Sequence, residues 1–314
     1  MKKKYKALII GCGKIAFGNS RADLNSHFGA FQKSNKIEIM GAVDIKIEKL
    51  EKIKKKFNIK IYDSINLALE IANPDIISLC TPDTTHFNLC YKIIHSKYSP
   101  KVIFLEKPCF SSYDELKKIR QHAEKNKIEI IVNHTRRFDK NFQLLKLKIK
   151  SGFFGKIKRA YFSYYNGWIH NASHQTDILN YLFDDLLIKK KSKKSFFSKK
   201  DNFDVILKFK KNLGLVFALS LSEEPYQIFD LDLHFDKYRL LIDNFGKNAY
   251  LQKKIQNSIG ESFLSKKKSI FTINKVTPMQ NAVNLIVKFL DSHDRILIND
   301  YNIESIGKSM KSIW

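Results

Sequence analysis

The sequence predicts an α/β protein: an N-terminal doubly wound parallel sheet, then an α+β region on a large open, mostly antiparallel sheet. Three observations predict this. From residue 5 to about residue 134, short apolar runs alternate with helix-like amphipathic segments. The first of those runs ends in a glycine-rich turn, Gly11-Cys12-Gly13. After about residue 150, strand-like runs follow one another closely, as antiparallel neighbours do. The expected division is 1–134 and 135–314.

Taken in order, Tyr5–Ile10 is a short apolar run closed by glycine and reads as a buried parallel strand. Phe28–Lys33 has helical character, and Ile37–Asp44 is a second strand closed by an acidic residue. Lys46–Phe57 carries Ile47, Leu50, Ile53 and Phe57 at helical spacing. Strands are predicted at Ile59–Tyr62, Asp75–Cys80, Val102–Leu105 and Ile128–Asn133, and helices at Ser64–Ile71, His86–Ser96 and Tyr113–Asn126. Right-handed crossovers would join these strands into a parallel sheet. In the second half, Lys156–Tyr165, Phe203–Phe209, Gly214–Ser222, Ile228–Phe235 and Tyr238–Ile242 show partial period-two alternation. Ser173–Phe183 and Met279–Ser292 are the helices available to cover one face of that sheet, and Lys308–Trp314 reads as a helix that stops abruptly. There is no internal repeat and no Pro- or Ser-rich linker.

A chain of 314 residues is long enough for two domains with separate cores. Its apolar content of 44% and aromatic content of 12% are those of a globular protein. No apolar run approaches the roughly 18 residues of a membrane-spanning helix. The basic start, Met1 to Lys4, precedes an apolar stretch too short for a signal peptide, so a first strand is expected there. Cys12, Cys80, Cys90 and Cys109 form no CxxC pair, so buried free thiols in a reducing cytoplasm are expected, with neither disulfides nor zinc. The net charge is +25, but only seven of the 56 basic residues are Arg, and the lysines are spread along the chain. Nucleic-acid readers concentrate such residues on one recognisable element, so neither nucleic acid nor membrane is the expected partner. The positive field remains compatible with an anionic substrate such as a sugar nucleotide. The densest run, Lys189 to Lys200, reads as a solvated mobile loop.

Gly11-Cys12-Gly13-Lys14-Ile15-Ala16 is a GxGxxA turn between a strand and a helix. Its first glycine permits the tight turn, and its second lets backbone approach a pyrophosphate. The small Ala16 allows close helix–strand packing, with phosphates at the helix N-terminus, where Lys14 and Ile15 stand. Asp44, at the end of the second strand, can hydrogen-bond a ribose diol, which favours NAD; Lys46 beside it leaves NADP open. Asp44 lies 31 residues beyond Gly13 rather than about 20, which implies an insertion around residues 17–30.

Four further motifs follow in order: Ile76 to His86, containing Thr81-Pro82; Glu106-Lys107-Pro108; Gly155-Lys156-Ile157; and His174-Gln175-Thr176-Asp177. With the glycine turn, they resemble the glucose–fructose oxidoreductase / inositol dehydrogenase (Gfo/Idh/MocA) family of NAD(P)-dependent oxidoreductases. The resemblance implies a Rossmann domain followed by a substrate and oligomerisation domain, and a homo-oligomeric enzyme. It implies hydride transfer between the nicotinamide and a hydroxyl or keto carbon of a sugar, inositol or sugar nucleotide. Thr81, Pro82, His86 and Glu106 would then pack around the cofactor, Lys107 would orient substrate and share in proton transfer, and His174 would be the acid/base. Lys107-Pro108 is expected to be a cis bond.

The family often has Asp four residues before that histidine, and this chain has His170. On a helical turn residues 170 and 174 face one way, so His170 is either a proton relay or substrate contact, or a sign of different chemistry. A two-histidine metal site is not expected without a third ligand. Asn171 and Ser173 are candidates for a cap or a substrate hydrogen bond. Arg136 and Arg137 either hold an anionic or hydroxylated substrate or pair with Asp139 or Glu106. Trp168 and Tyr165 either wall a sugar ring or fill the core. His27 is either close to the cofactor or simply a helix start. The competing reading is a nucleotide-sensing protein that keeps the fold without turnover.

Overall fold

Short runs of Ile, Val, Leu and Phe buried on both faces form interior parallel strands. The computed structural model describes residues 4–194, 202–221 and 228–311. Its first sheet contains β1 (Tyr5–Ile10), β2 (Ile37–Val43), β3 (Ile61–Tyr62), β4 (Ile76–Leu79), β5 (Val102–Leu105) and β6 (Glu129–Val132). All pairs are parallel and the order is β3-β2-β1-β4-β5-β6. The order reverses between β1 and β4, so the carboxyl ends of those strands flank the crevice where ligands bind in such sheets. Helices α1 (Lys14–Phe17), α2 (His27–Lys33), α3 (Ile47–Phe57), α4 (Ile65–Ala72), α5 (His86–Ile94) and α6 (Tyr113–Lys125) connect the strands. Ser26, Ser64 and Ser112 cap α2, α4 and α6 by accepting the amides of Gly29, Leu67 and Glu115.

The predicted insertion is an interruption of the first crossover helix. α1 stops at Phe17, and the chain turns through residues 18–26 before α2 begins. Asp23 organises the turn by accepting the amides of Asn19 (3.2 Å) and Asn25 (3.2 Å).

The remaining elements are α7 (Lys140–Lys150), β7 (Ile157–Tyr164), α8 (Ser173–Phe183), β8 (Leu187–Lys194), β9 (Phe203–Phe209) and β10 (Leu215–Ser220). They continue with β11 (Leu231–Phe235), β12 (Tyr238–Asp243), β13 (Asn248–Gln256), β14 (Ser262–Leu264), β15 (Lys268–Ser269), α9 (Pro278–Ser292) and α10 (Ile303–Met310). Among the described residues the second sheet has nine strands, ordered β14-β13-β12-β11-β7-β10-β9-β8 with β15 on β13. Its pairs are antiparallel except β7–β10.

Two compact units result: residues 1–139 with 275–307, and residues 140–274 with 308–314. This corrects the division at residue 134 and the assignment of the Met279–Ser292 helix to the second sheet. α9 belongs to the first unit, where Met279, Ala282, Val283, Ile286 and Leu290 join Phe31, Ile37, Phe138 and Ile298 in one core. Each of its large side chains contributes about 1.5–3 kcal/mol by burial, so the helix is integral to that unit. A capping box at Thr277 and Gln280 starts it.

The lysine run is also corrected. Leu187–Lys194 is an edge strand on β9, and the run's remainder, 195–200, lies outside the described residues, as do Ser222 and Ser312 to Trp314. Exposed lysines suit an edge strand, because their charge discourages pairing with another sheet.

Asp185, 4% exposed, closes the turn before β8 by accepting the amides of Leu186 (2.8 Å), Lys211 (2.9 Å) and Asn212 (2.9 Å) and the Asn212 side chain (2.9 Å). Asp185→Ala leaves several buried donors unmatched, and a loss of about 3 kcal/mol in urea unfolding is expected. A loss below about 0.5 kcal/mol would contradict this account of the turn.

Candidate active site

The glycine turn is built by steric necessity on one side and open space on the other. Gly11 has φ +96°, and a Cβ there would lie 2.7 Å from the Cys80 carbonyl carbon and oxygen, so β1 and β4 meet too closely for any side chain. A Cβ on Gly13 would meet nothing within 4 Å. Gly13 is the N-cap of α1, and the first amides of a helix lack intrahelical acceptors. Lys14 and Ile15 beside it are exposed, while Ala16 is fully buried against the sheet. Asp44 Oδ2 accepts the Cys12 amide at 2.8 Å and Oδ1 accepts the Lys46 amide at 2.9 Å, which ties the end of β2 to the turn. Two oxygens carry about four lone-pair sites, so this carboxylate retains acceptor capacity toward a diol.

Lys107 stands two residues past the end of β5 and is half-buried, and the Lys107–Pro108 bond is cis. Burial pushes its ammonium below the usual lysine range; Glu106 opposes that, Arg136 adds to it, and Asp83 opposes it. Arg136 is itself pushed down by burial, to about 9, with Asp139 opposing. A guanidinium remains cationic even then, so Lys107 and Arg136 place two positive groups in one partly buried setting.

Behind this face, Glu106 is 8% exposed. Its Oε1 accepts from Asn133 Nδ2 (2.6 Å) and meets His27 Nε2 (2.8 Å), and its Oε2 accepts the Lys107 amide (3.2 Å). His86, 1% exposed, has Nδ1 at 3.0 Å from both the Pro108 and Cys109 carbonyls and Nε2 at 2.9 Å from the Thr81 carbonyl. It therefore pins the Thr81-Pro82 loop to the Lys107-Pro108 segment. Thr81 and Pro82 stay partly or wholly exposed along the crevice, with Thr85 donating to Thr81 Oγ1 at 2.7 Å.

In the second unit, β7 leads through Asn166 (φ 53°) and Gly167 (φ 97°) into a π-helical turn, Trp168–Ala172, and then α8. Such turns widen the helix by one residue and recur at functional sites. His170, within this turn, is exposed, and His174 is half-buried in the first turn of α8. Trp168 is 5% exposed, with its ring edge-on to Tyr164 (5.5 Å) and Lys189 Nζ 5.8 Å from its centroid. Its indole N–H is buried without an acceptor among the described residues. Asn171 is half-buried, Tyr165 is buried, and Asp177, 2% exposed, accepts from Ser309 Oγ at 2.9 Å.

Residues 5–134 match the family model described as "Oxidoreductase family, NAD-binding Rossmann fold", GFO_IDH_MocA. That match spans the first sheet and its crossover helices. A myo-inositol 2-dehydrogenase of Thermotoga maritima is 27% identical over 114 residues, which span 36% of this chain and 33% of that enzyme. The chain thus aligns with about a third of that relative's length. Among solved structures, the WlbA dehydrogenase of Bordetella pertussis, in complex with NADH and UDP-GlcNAcA, superposes with a TM-score of 0.75 at 15% identity, covering 99% of this chain and 93% of that one. A transcriptional regulator of Kluyveromyces lactis gives 0.77 at 15% identity, over 99% and 91%. These similarities establish the fold of the whole chain.

The structure also places several other residues that the sequence singled out. Glu106 and His86 are buried and hydrogen-bond within the chain, so both shape the crevice. Arg137, 2% exposed, donates to the Asp300 carbonyl and to Ser305 Oγ, which makes it structural and leaves Arg136 as the arginine beside Lys107. His27 is fully buried and binds Glu106. Ser78 lies within the Ile76–His86 motif and Lys189 within the lysine run, while Asn133 belongs to neither; nothing in the sequence marked any of the three as a site residue. The four cysteines are free and buried. No group of three or more metal-ligating side chains occurs among the described residues, and no described helix is long and apolar enough to cross a membrane.

Proposed function

We propose that this chain is an NAD(P)-dependent oxidoreductase acting on a CH–OH or keto carbon of a sugar, inositol or sugar nucleotide, with Lys107 and His174 handling the proton. The observation that carries the reading is Lys107: a half-buried ammonium at the carboxyl end of a central strand, beside the strands that hold the Gly11–Gly13 turn.

The bound nicotinamide would supply the hydride acceptor or donor. Gly13, Lys14 and Ile15 would hold its pyrophosphate and Asp44 its ribose, while Thr81 and Pro82 would line the crevice. Lys107 would hydrogen-bond the reacting oxygen, and its lowered pKa brings proton transfer closer to neutral pH. His174 would take or return the proton as the carbon changes oxidation state, with His170 as relay or contact. The paired cations Lys107 and Arg136 favour a substrate with a carboxylate or phosphate, and Trp168 and Asn171 would meet its ring. Homo-oligomerisation is supported by the second sheet's partly exposed face, where Leu215 is 36% and Leu219 49% exposed beside the stacked Tyr161–Phe217 pair (5.2 Å). The free cysteines suit a reducing, cytoplasmic setting.

Thermal shift and tryptophan fluorescence with NAD(H) and NADP(H), followed by hydride transfer to a panel of inositols, sugars and sugar nucleotides, test the reading. Stabilisation by NAD(H) together with turnover is the expected result. Binding without turnover on any panel member would favour nucleotide sensing instead. Asp44→Ala is expected to lower the preference for NAD over NADP about tenfold in Kd, the value of one charge-assisted hydrogen bond. An unchanged ratio would remove Asp44 from ribose recognition.

A further inference from the structure

A fully buried carboxylate is costly unless it is matched by charge and hydrogen bonds. Glu106 lies directly before Lys107, and its side-chain partners come from two other elements. His27, at the start of α2, is 0% exposed; its Nε2 meets Glu106 Oε1 at 2.8 Å and its Nδ1 meets Ser78 Oγ at 2.6 Å. Ser78, on β4, is in turn 3.2 Å from Cys80 Sγ. Asn133, just beyond β6, donates to the same Glu106 oxygen at 2.6 Å. The imidazole is clasped between the rings of Phe104 (4.6 Å) and Phe31 (6.3 Å), so it has little freedom to swing away. The chain Cys80–Ser78–His27–Glu106 therefore runs behind the crevice and ends on the Lys107 amide, which donates to Glu106 Oε2.

We propose that His27 is the positioning residue of Lys107: as an imidazolium held between Glu106 and Ser78, it keeps Glu106 a carboxylate, and through Glu106 it sets the field and the backbone on which Lys107 stands. The proposal rests on the catalytic reading of Lys107 only for its use in turnover; the geometry holds without it. Burial opposes the charge on His27, and Cys80 and Glu106 outweigh it, which pushes the imidazole up to about 10. Burial likewise opposes ionisation of Glu106; His27, Asn133 and the Lys107 amide outweigh it and hold the carboxyl below its ordinary range. Among the described residues, Glu106, Arg136 and Asp83 act on the charge of Lys107, and of these Glu106 raises its pKa most. When His27 loses its charge, Glu106 loses the largest of the interactions that favour its ionised form, and a protonated Glu106 no longer supports the charge on Lys107.

The test follows the pH dependence of Lys107 acetylation by peptide mass spectrometry, which needs no turnover, in the wild type, His27→Gln, Glu106→Gln and the double variant. In His27→Gln the labelling midpoint of Lys107 should fall by about one pH unit, as expected on losing one opposite charge nearby. Glu106→Gln should give the same fall, and His27→Gln should add nothing on that background, because the histidine acts through the glutamate. An unchanged midpoint in a folded His27→Gln protein, or equal further shifts on both backgrounds, overturns the proposal. Should the single variant fail to fold, the neutral Gln–Gln pair is compared with Glu106→Gln, and the same additivity decides. A second readout is stability against pH. A histidine whose pKa is raised on folding stabilises fully below its ordinary value of 6.5, and the gain disappears as pH rises through about 10. The wild-type Tm advantage over His27→Gln should shrink across that window. Loss of activity in Lys107→Ala has no bearing on these measurements, so this proposal and the enzymatic reading fail separately.

Discussion

Lys107→Ala is expected to lower kcat by about 10²- to 10⁴-fold, the usual contribution of a positioned proton-transfer group, while leaving Kd for NAD(H) within about threefold. The asymmetry follows from where the residue stands. Lys107 follows β5, whereas the glycine turn and Asp44 that would hold the dinucleotide close β1 and β2. Because Lys107 stands on a different strand from the turn, its removal takes away chemistry without removing the binding surface. Steady-state kinetics beside cofactor titration by fluorescence separates the two. Full turnover in Lys107→Ala would end the proposed mechanism, and an equal loss of cofactor binding would make the residue a cofactor ligand instead. Lys107→Arg should rescue little, because a guanidinium cannot give up a proton near neutral pH.

Two glycines two residues apart should respond in opposite ways. Gly11→Ala forces a side chain onto φ +96° and drives a Cβ to 2.7 Å from the Cys80 carbonyl, against backbone that cannot yield cheaply. A loss of about 3 kcal/mol or more is expected, from left-handed strain plus overpacking. Gly13→Ala meets nothing within 4 Å and has φ −79°, which any residue adopts. Its Tm should hold or rise slightly as the unfolded chain loses freedom. Its affinity for NAD(H) should fall about tenfold to a hundredfold, because the added methyl occupies the space a pyrophosphate would approach. Thermal melts with and without cofactor read both effects. A destabilised Gly13→Ala, or one that binds NAD(H) normally, would contradict the cradle.

Much of the first sheet was legible because buried parallel strands are short, apolar and bounded by turns. Each of its six strands lies within or close to the predicted run, and the delayed Asp44 correctly announced an interruption between α1 and α2. The strand β8 was missed because Lys189 to Lys193 carry no apolar alternation; pairing with Val205 and Leu207 on β9, rather than propensity, makes them a strand. The π turn at Trp168–Ala172 was missed because nothing in the residue pattern separates it from an α-helical start.

The sequence by itself determined the alternation of strands and helices, the glycine turn, the acidic close of β2 and the lysine after β5. These are properties of neighbouring residues, so local physics suffices to read them. Only the tertiary structure decided which face each helix covers and which polar groups meet. The amphipathic pattern of α9 guarantees an apolar stripe but carries no address, and the core of the first unit claims it. His27, Ser78, Glu106 and Asn133 lie far apart along the chain, and their network exists because β4, β5 and β6 run side by side and the first turn of α2 delivers a histidine between them. A buried carboxylate draws its partners from wherever the fold brings them, and sequence separation does not constrain that choice.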